Sequence, residues 1–170
     1  MSHDPRPDTI HFVDAHPQRV RESGSAVDGI PAGGPAQRSL RVLIVDDEQE
    51  AADKLCAAVS SWGHEARRVY DGPSGLDAAA DQLPNVVFFD VAMPGMDGYQ
   101  MAQSLRRRAS LRGCFLVAMR TRDDQRSGLG RKEADIDLFL SKPMDLAVLE
   151  TLLLMEGERL DQLEFKKPSV

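Results

Sequence analysis

Phe89-Asp90-Val91-Ala92-Met93-Pro94-Gly95-Met96-Asp97-Gly98 decides how the rest of the chain is read. The apolar run over 86–89 stops at an acid, a Pro-Gly loop follows, and Asp97-Gly98 can open a helix. An uninterrupted apolar run of this length suits a strand covered on both faces, as in a parallel sheet. In open α/β sheets the binding crevice lies at the carboxyl ends of the strands, so an acid at that point is placed for chemistry. Asp is also a common turn former, and Asp90 taken alone is open to that plainer reading.

Two further stretches bear on the choice. Arg41-Val42-Leu43-Ile44-Val45-Asp46-Asp47-Glu48 is another apolar strand ending in acids, and Phe139-Leu140-Ser141-Lys142-Pro143 is a strand ending in a lysine followed by proline. Asp46-Asp47 could serve as a cap for the helix that follows, and Lys142 could be an ordinary surface lysine. Both plain readings, together with the turn reading of Asp90, would have to hold independently. Three strands delivering Asp46, Asp47, Asp90 and Lys142 to one sheet edge form a constellation, not a set of separate caps.

The 170 residues fit one domain with tails. A composition that is 42% hydrophobic but only 5% aromatic suits an Ala/Val/Leu-rich α/β core. The net charge of −6 and the lack of a basic stripe argue against nucleic-acid binding. Cys56 and Cys114 lack metal-ligand spacing and read as packing residues, and no N-terminal apolar segment has signal or membrane length. A reduced, cytoplasmic protein without membrane insertion is expected.

Residues 1–39 are rich in Pro, Gly and Ser and are expected to form a disordered or flexible arm, within which 9–13 could dock. Ala52, Leu55, Cys56 and Val59 recur at helical spacing and predict a helix over 48–61, closed by Gly63 in a left-handed cap. A weakly patterned strand over 65–70 and a helix over 74–82 precede the strand that leads to Asp90. A helix from Asp97 to Arg108 turns Met101 and Leu105 inward and leaves Arg106-Arg107-Arg108 to solvent. Then come a strand over 115–119, a helix over 123–134, a strand over 136–140 and a helix over 145–160, with a tail at 161–170. The helix over 123–134 is weakened by Gly128 and Gly130, at about 1 kcal/mol each relative to alanine. Five alternations of strand and helix predict a doubly wound parallel sheet with helices on both faces.

Asp46-Asp47, Asp90 and Lys142-Pro143 together resemble the signature of the receiver domain of two-component response regulators, across 40–160. The resemblance implies a flavodoxin-like sheet of order 2-1-3-4-5. It implies Asp90 as phosphoryl acceptor, Lys142 as a phosphoryl contact and a cis bond before Pro143. It implies Mg2+ held directly by Asp47, Asp90 and the main-chain carbonyl of Ala92, with Asp46 acting through water. The chemistry is coherent. A carboxylate can accept a phosphoryl group as an acyl phosphate once repulsion between anionic donor and acceptor is cancelled. Magnesium prefers oxygen ligands, and a lysine supplies a mobile point charge. The donor implied is a phosphohistidine on a sensor histidine kinase or a histidine phosphotransfer protein. Such a receiver catalyses its own phosphorylation and dephosphorylation and is not a conventional enzyme.

The chain departs from the family pattern on the signalling side. Receivers usually carry Thr or Ser at the end of the fourth strand; Arg120 stands there, with Thr121 one residue late. The aromatic switch position is Phe139, which lacks a hydroxyl, and Asp135 replaces a glycine that commonly precedes the fifth strand. Three readings of Arg120 stay open: it reaches the Asp90 carboxylate, it clamps the phosphoryl group after transfer, or it points into solvent while Thr121 substitutes through a bulge.

The expectation is a single-domain response regulator, a monomer or weak homodimer, that signals to a downstream output protein through phosphorylation-modulated binding. The helix over 123–134, the last helix and the fifth strand are the docking surface that the resemblance implies. The alternatives are a phosphate-independent adaptor and a phosphate sink. A small-ester phosphatase is disfavoured because Ala92 occupies the place of the second acid such enzymes commonly use two residues after the nucleophile.

Overall fold

The computed structural model describes residues 38–122 and 136–166. The expectations for the arm before Arg38, for the helix over 123–134 with Gly128 and Gly130, for Asp135 and for 167–170 lie outside the described residues. Five strands, β1 (Arg41–Val45), β2 (Glu65–Val69), β3 (Val86–Asp90), β4 (Phe115–Arg120) and β5 (Leu138–Ser141), form one parallel sheet of order β2-β1-β3-β4-β5. Helices α1 (Gln49–Ser61), α2 (Gly72–Gln82), α3 (Gly98–Arg107) and α4 (Leu146–Phe165) complete the described fold, with a 3-10 turn at Ala109–Leu111. The fold is the flavodoxin-like arrangement, with the strand order reversing between β1 and β3.

Alternation along the central strands builds two cores. Leu43, Val87, Phe89 and Leu116 pack with Ala78 and Ala79 of α2 and with Met101 and Leu105 of α3. Val42, Ile44, Phe88 and Val117 turn the other way, onto Leu55 and Val59 of α1 and Leu149 and Leu153 of α4. Each such side chain contributes about 1.5–3 kcal/mol when fully buried. β3 is buried along its whole length, which is why its sequence is an unbroken apolar run. β2 lies at the sheet edge and exposes Glu65, Arg67 and Arg68, which accounts for its weak pattern.

Local signals set the boundaries. Asp71 caps α2 by accepting from Ser74 N, so the helix begins at Gly72 and takes in Pro73, ahead of the expected start at 74. Asp97 and Gln100 form a reciprocal capping box at α3. Gly63 closes α1 at φ +88°, a left-handed conformation that favours glycine.

Two expectations need correction. α4 continues through Phe165 and absorbs the first half of the tail expected over 161–170. Arg38 secures the extra turns by ion pairs to Asp161 at 3.0 Å and Glu164 at 2.9 Å. The arginines ending α3 are not all left to solvent. Arg106 pairs with Asp137 and donates to the Cys114 carbonyl, while Arg108 donates to the Leu76 carbonyl at 2.8 Å. Only Arg107 of the three is exposed.

Candidate functional site

β1, β3 and β5 end at the same edge, and their last residues converge. Asp46, directly after β1, is 1% exposed, and Asp90, closing β3, is 7% exposed, so both carboxylates are taken out of water. Lys142, directly after β5, spans them: its Nζ lies 2.8 Å from Asp46 Oδ2 and 2.7 Å from Asp90 Oδ2. The other oxygens are held by main chain. Glu48 N donates to Asp46 Oδ1, and Ala92 N donates to Asp90 Oδ1, each at 3.0 Å. The Lys142-Pro143 bond is cis.

Asp47 is exposed beside this pair, and Asp46, Asp47 and Asp90 each offer an oxygen within 4.8 Å of the others. Three carboxylates thus face one ammonium. Burial raises the Asp46 pKa, against the opposing pull of its Lys142 hydrogen bond. For Lys142, burial is the largest single influence and lowers its pKa, but hydrogen bonds to Asp46 and Asp90 outweigh it and hold the ammonium above its usual range. The Lys142 shift expresses its two carboxylate partners, whereas the Asp46 shift expresses mainly its burial. Hard oxygen donors in this number and spacing fit a magnesium ion.

Gly98 sets how closely α3 approaches the site. A Cβ there would collide with the Asp90 carbonyl, would lie 2.7 Å from the Phe89 ring and 2.9 Å from Val91 Cα. No pattern in the sequence marks this close approach beyond the glycine itself.

Arg120 and Phe139 meet on the sheet face that carries α2 and α3. The guanidinium carbon of Arg120 sits 4.5 Å from the centre of the Phe139 ring, and the Tyr99 ring lies 6.5 Å from the same ring. Arg120 Nε is buried without a hydrogen-bond partner among the described residues. The Asp90 carboxylate is engaged by Lys142 and Ala92 N, not by Arg120. β4 pairs in unbroken register with β3 through Met119 and with β5 through Arg120, so no bulge brings Thr121 inward; Thr121 is exposed just past the strand. Two of the three open readings of Arg120 are therefore not the arrangement found: it neither reaches Asp90 nor points into solvent. The stack was hidden because it depends on register. Ala118 pairs with Phe139 and Arg120 with Ser141, which makes Arg120 and Phe139 diagonal neighbours on one face.

Residues 42–154 match the family model of the response regulator receiver domain. The chain belongs to that family. Among similar receivers, Protein PilH of Pseudomonas aeruginosa is 32% identical over 113 residues, covering 66% of this chain and 91% of PilH. Response regulator PleD of Caulobacter vibrioides is 32% identical over 111 residues, covering 65% of this chain but 24% of PleD. Solved receivers share the fold. The receiver domain of AraT from Geobacillus stearothermophilus superposes with a TM-score of 0.63 at 25% identity, covering 75% of this chain and 99% of that one. A CheY-like receiver from Methylobacillus flagellatus gives 0.62 at 28% identity, covering 70% and 99%. Among the described residues no helix is long and apolar enough to cross a membrane.

Proposed function

We propose that this receiver accepts a phosphoryl group on Asp90 from a phosphohistidine donor, with Mg2+, and thereby alters its binding to a protein partner. The observation that carries this reading is the single ammonium of Lys142 shared between Asp46 and Asp90 beside the exposed Asp47. In the transfer an Asp90 oxygen attacks phosphorus, the phosphorus–nitrogen bond breaks, and the imidazole leaves with the electron pair and takes up a proton. Asp46, Asp47, Asp90 and the Ala92 carbonyl would hold the magnesium ion. Bound there, Mg2+ would offset repulsion between the anionic donor and acceptor. Lys142 would exchange a carboxylate for a phosphoryl oxygen, a movement that its flexible stem allows.

Partner binding is supported by the apolar surface on α4. Val148 and Met155 are 50% and 65% exposed, beside a groove of about 700 Å³ floored by Phe115, Leu138 and Leu152. Phosphate-independent binding is the second reading. It is favoured by the absence of any hydroxyl on the Arg120 and Phe139 side chains, where the family pattern carries one.

Incubating wild type and Asp90→Asn with Mg2+ and a small phosphoramidate, followed by intact-mass spectrometry, tests the transfer. One added phosphoryl group on the wild type alone is expected. If neither protein is modified, and sensor kinases also fail to transfer, the adaptor reading replaces this one. Transfer that leaves partner binding unchanged marks a phosphate sink.

A further inference from the structure

We propose that Arg120 is a phosphoryl-binding residue held in reserve: while Asp90 is unmodified its guanidinium rests on Phe139, and a phosphoryl group on Asp90 draws it off the ring. The inference rests on Asp90 as the phosphoryl acceptor.

Charge supplies the first reason. Lys142 already serves two buried carboxylates, at 2.8 and 2.7 Å, in a pocket with surplus negative charge. A phosphoryl group adds a further charge of about −1.5 to −2 and three strong acceptor oxygens. The Asp90 carboxylate gives up its own charge in the acyl phosphate, so with Mg2+ and Lys142 set against Asp46, Asp47 and the phosphoryl group, up to about one negative charge is left unmatched. Position supplies the second. Met119 is opposite Asp90 in the sheet register, and Arg120 follows it. The Arg120 carbonyl accepts from Lys142 N at 2.8 Å, so its main chain lies between the acceptor's strand and the lysine's strand. Neighbouring strands lie about 4.8 Å apart, a gap that an extended arginine side chain can cross.

The resting contact supplies the third reason. An aromatic face satisfies the charge of a guanidinium but offers no in-plane acceptor for its N–H groups. Arg120 Nε is accordingly buried with no partner among the described residues, an unfavourable state for a donor. A phosphoryl group presents two oxygens to the planar fork and removes that deficit by charge-assisted hydrogen bonds. The departure of Arg120 leaves the Phe139 ring without its cation, and Tyr99 of α3 packs beside that ring at 6.5 Å. Arrival of the phosphoryl group is thus reported to β5 and α3 by an arginine, where relatives of the family pattern use a hydroxyl.

The test uses the full chain, 15N-labelled, with Mg2+ and beryllium fluoride as a non-covalent stand-in for the phosphoryl group. A bound fluoride signal in 19F spectra reports filling of the Asp90 site. The Arg120 Nε–Hε resonance is expected to move downfield as it gains an acceptor, and the Phe139 ring protons to shift as the cation leaves. Arg120→Ala is expected to weaken beryllofluoride retention by about tenfold or more, with Arg120→Lys recovering only part because a point charge lacks the fork. A filled site with an unmoved Arg120 Hε overturns the inference, as does wild-type retention by Arg120→Ala. Absence of any bound fluoride signal in the wild type overturns the reading of Asp90 itself, and this inference with it.

Discussion

Lys142 and Asp90 are 52 residues apart in the chain, yet their charged atoms meet at 2.7 Å across the end of the sheet. Lys142 is part of the fold's electrostatics as well as of its chemistry, because Asp46 and Asp90 have no other cation at hydrogen-bonding distance among the described residues. Lys142→Met should therefore lower stability by about 3 kcal/mol at neutral pH without divalent ions, as read by urea denaturation. Part of that loss should return on adding Mg2+ by binding linkage. The sign with pH follows from the raised pKa of the folded-state lysine. Its contribution is complete below about pH 10.4, the unfolded value, and is lost as pH rises through the folded one. The wild type should lose stability in that alkaline range relative to Lys142→Met; parallel curves would show that the pair contributes nothing.

Gly98→Ala places a methyl group against the Asp90 carbonyl, the Phe89 ring and Val91 Cα. Two of these neighbours are main chain and cannot yield as a flexible side chain can. A destabilisation of about 2–4 kcal/mol is expected from overpacking, with a weaker response of the melting temperature to Mg2+. Unchanged unfolding would mean that α3 can move away from β3 at little cost.

His64 gives an acid-side prediction. Its Nδ1 accepts from Leu40 N at 3.3 Å, its Nε2 is buried without a partner among the described residues, and burial holds its pKa below the ordinary value. The unfolded chain therefore takes up a proton first. Stability should fall as pH drops from about 6.5 toward the folded pKa, with a slope of at most about 1.4 kcal/mol per pH unit. His64→Asn, which keeps an acceptor for Leu40 N, should remove this component below about pH 6.5. A variant that loses stability in step with the wild type would exclude His64 as the source.

Burial pushes the Cys114 thiol up to about 12, and Cys56 is buried as well. Thiolate is the reactive form, so alkylation by iodoacetamide at neutral pH should be slow in the native protein and rapid in denaturant. Fast native modification of Cys114 would show that the end of the sheet near Arg106 opens readily.

What could be read from the sequence follows the physics of each element. β1 and β3 were legible because strands buried on both faces are written as apolar runs, and their terminal acids stood out against them. Asp46, Asp47, Asp90 and Lys142 could be placed at one edge because parallel topology alone brings strand ends together. Arg106 and Arg108 could not be placed, since Arg106 meets Asp137, 31 residues away, and the Cys114 carbonyl, and Arg108 meets the Leu76 carbonyl, contacts that carry no sequence signal. The extra turns of α4 depend on Arg38, 123 residues from Asp161. The Arg120–Phe139 stack required the register of β4 on β5, which strand patterns do not specify.

The central claim is that Asp90 carries the phosphoryl group. Its most direct test is to phosphorylate the full chain with phosphoramidate and Mg2+, reduce it with borohydride, and map the product by peptide mass spectrometry. Reduction converts an aspartyl phosphate to homoserine. Homoserine is expected at position 90 and at no other aspartate. Homoserine at Asp46 or Asp47, or none anywhere in a protein shown to be folded, would contradict it.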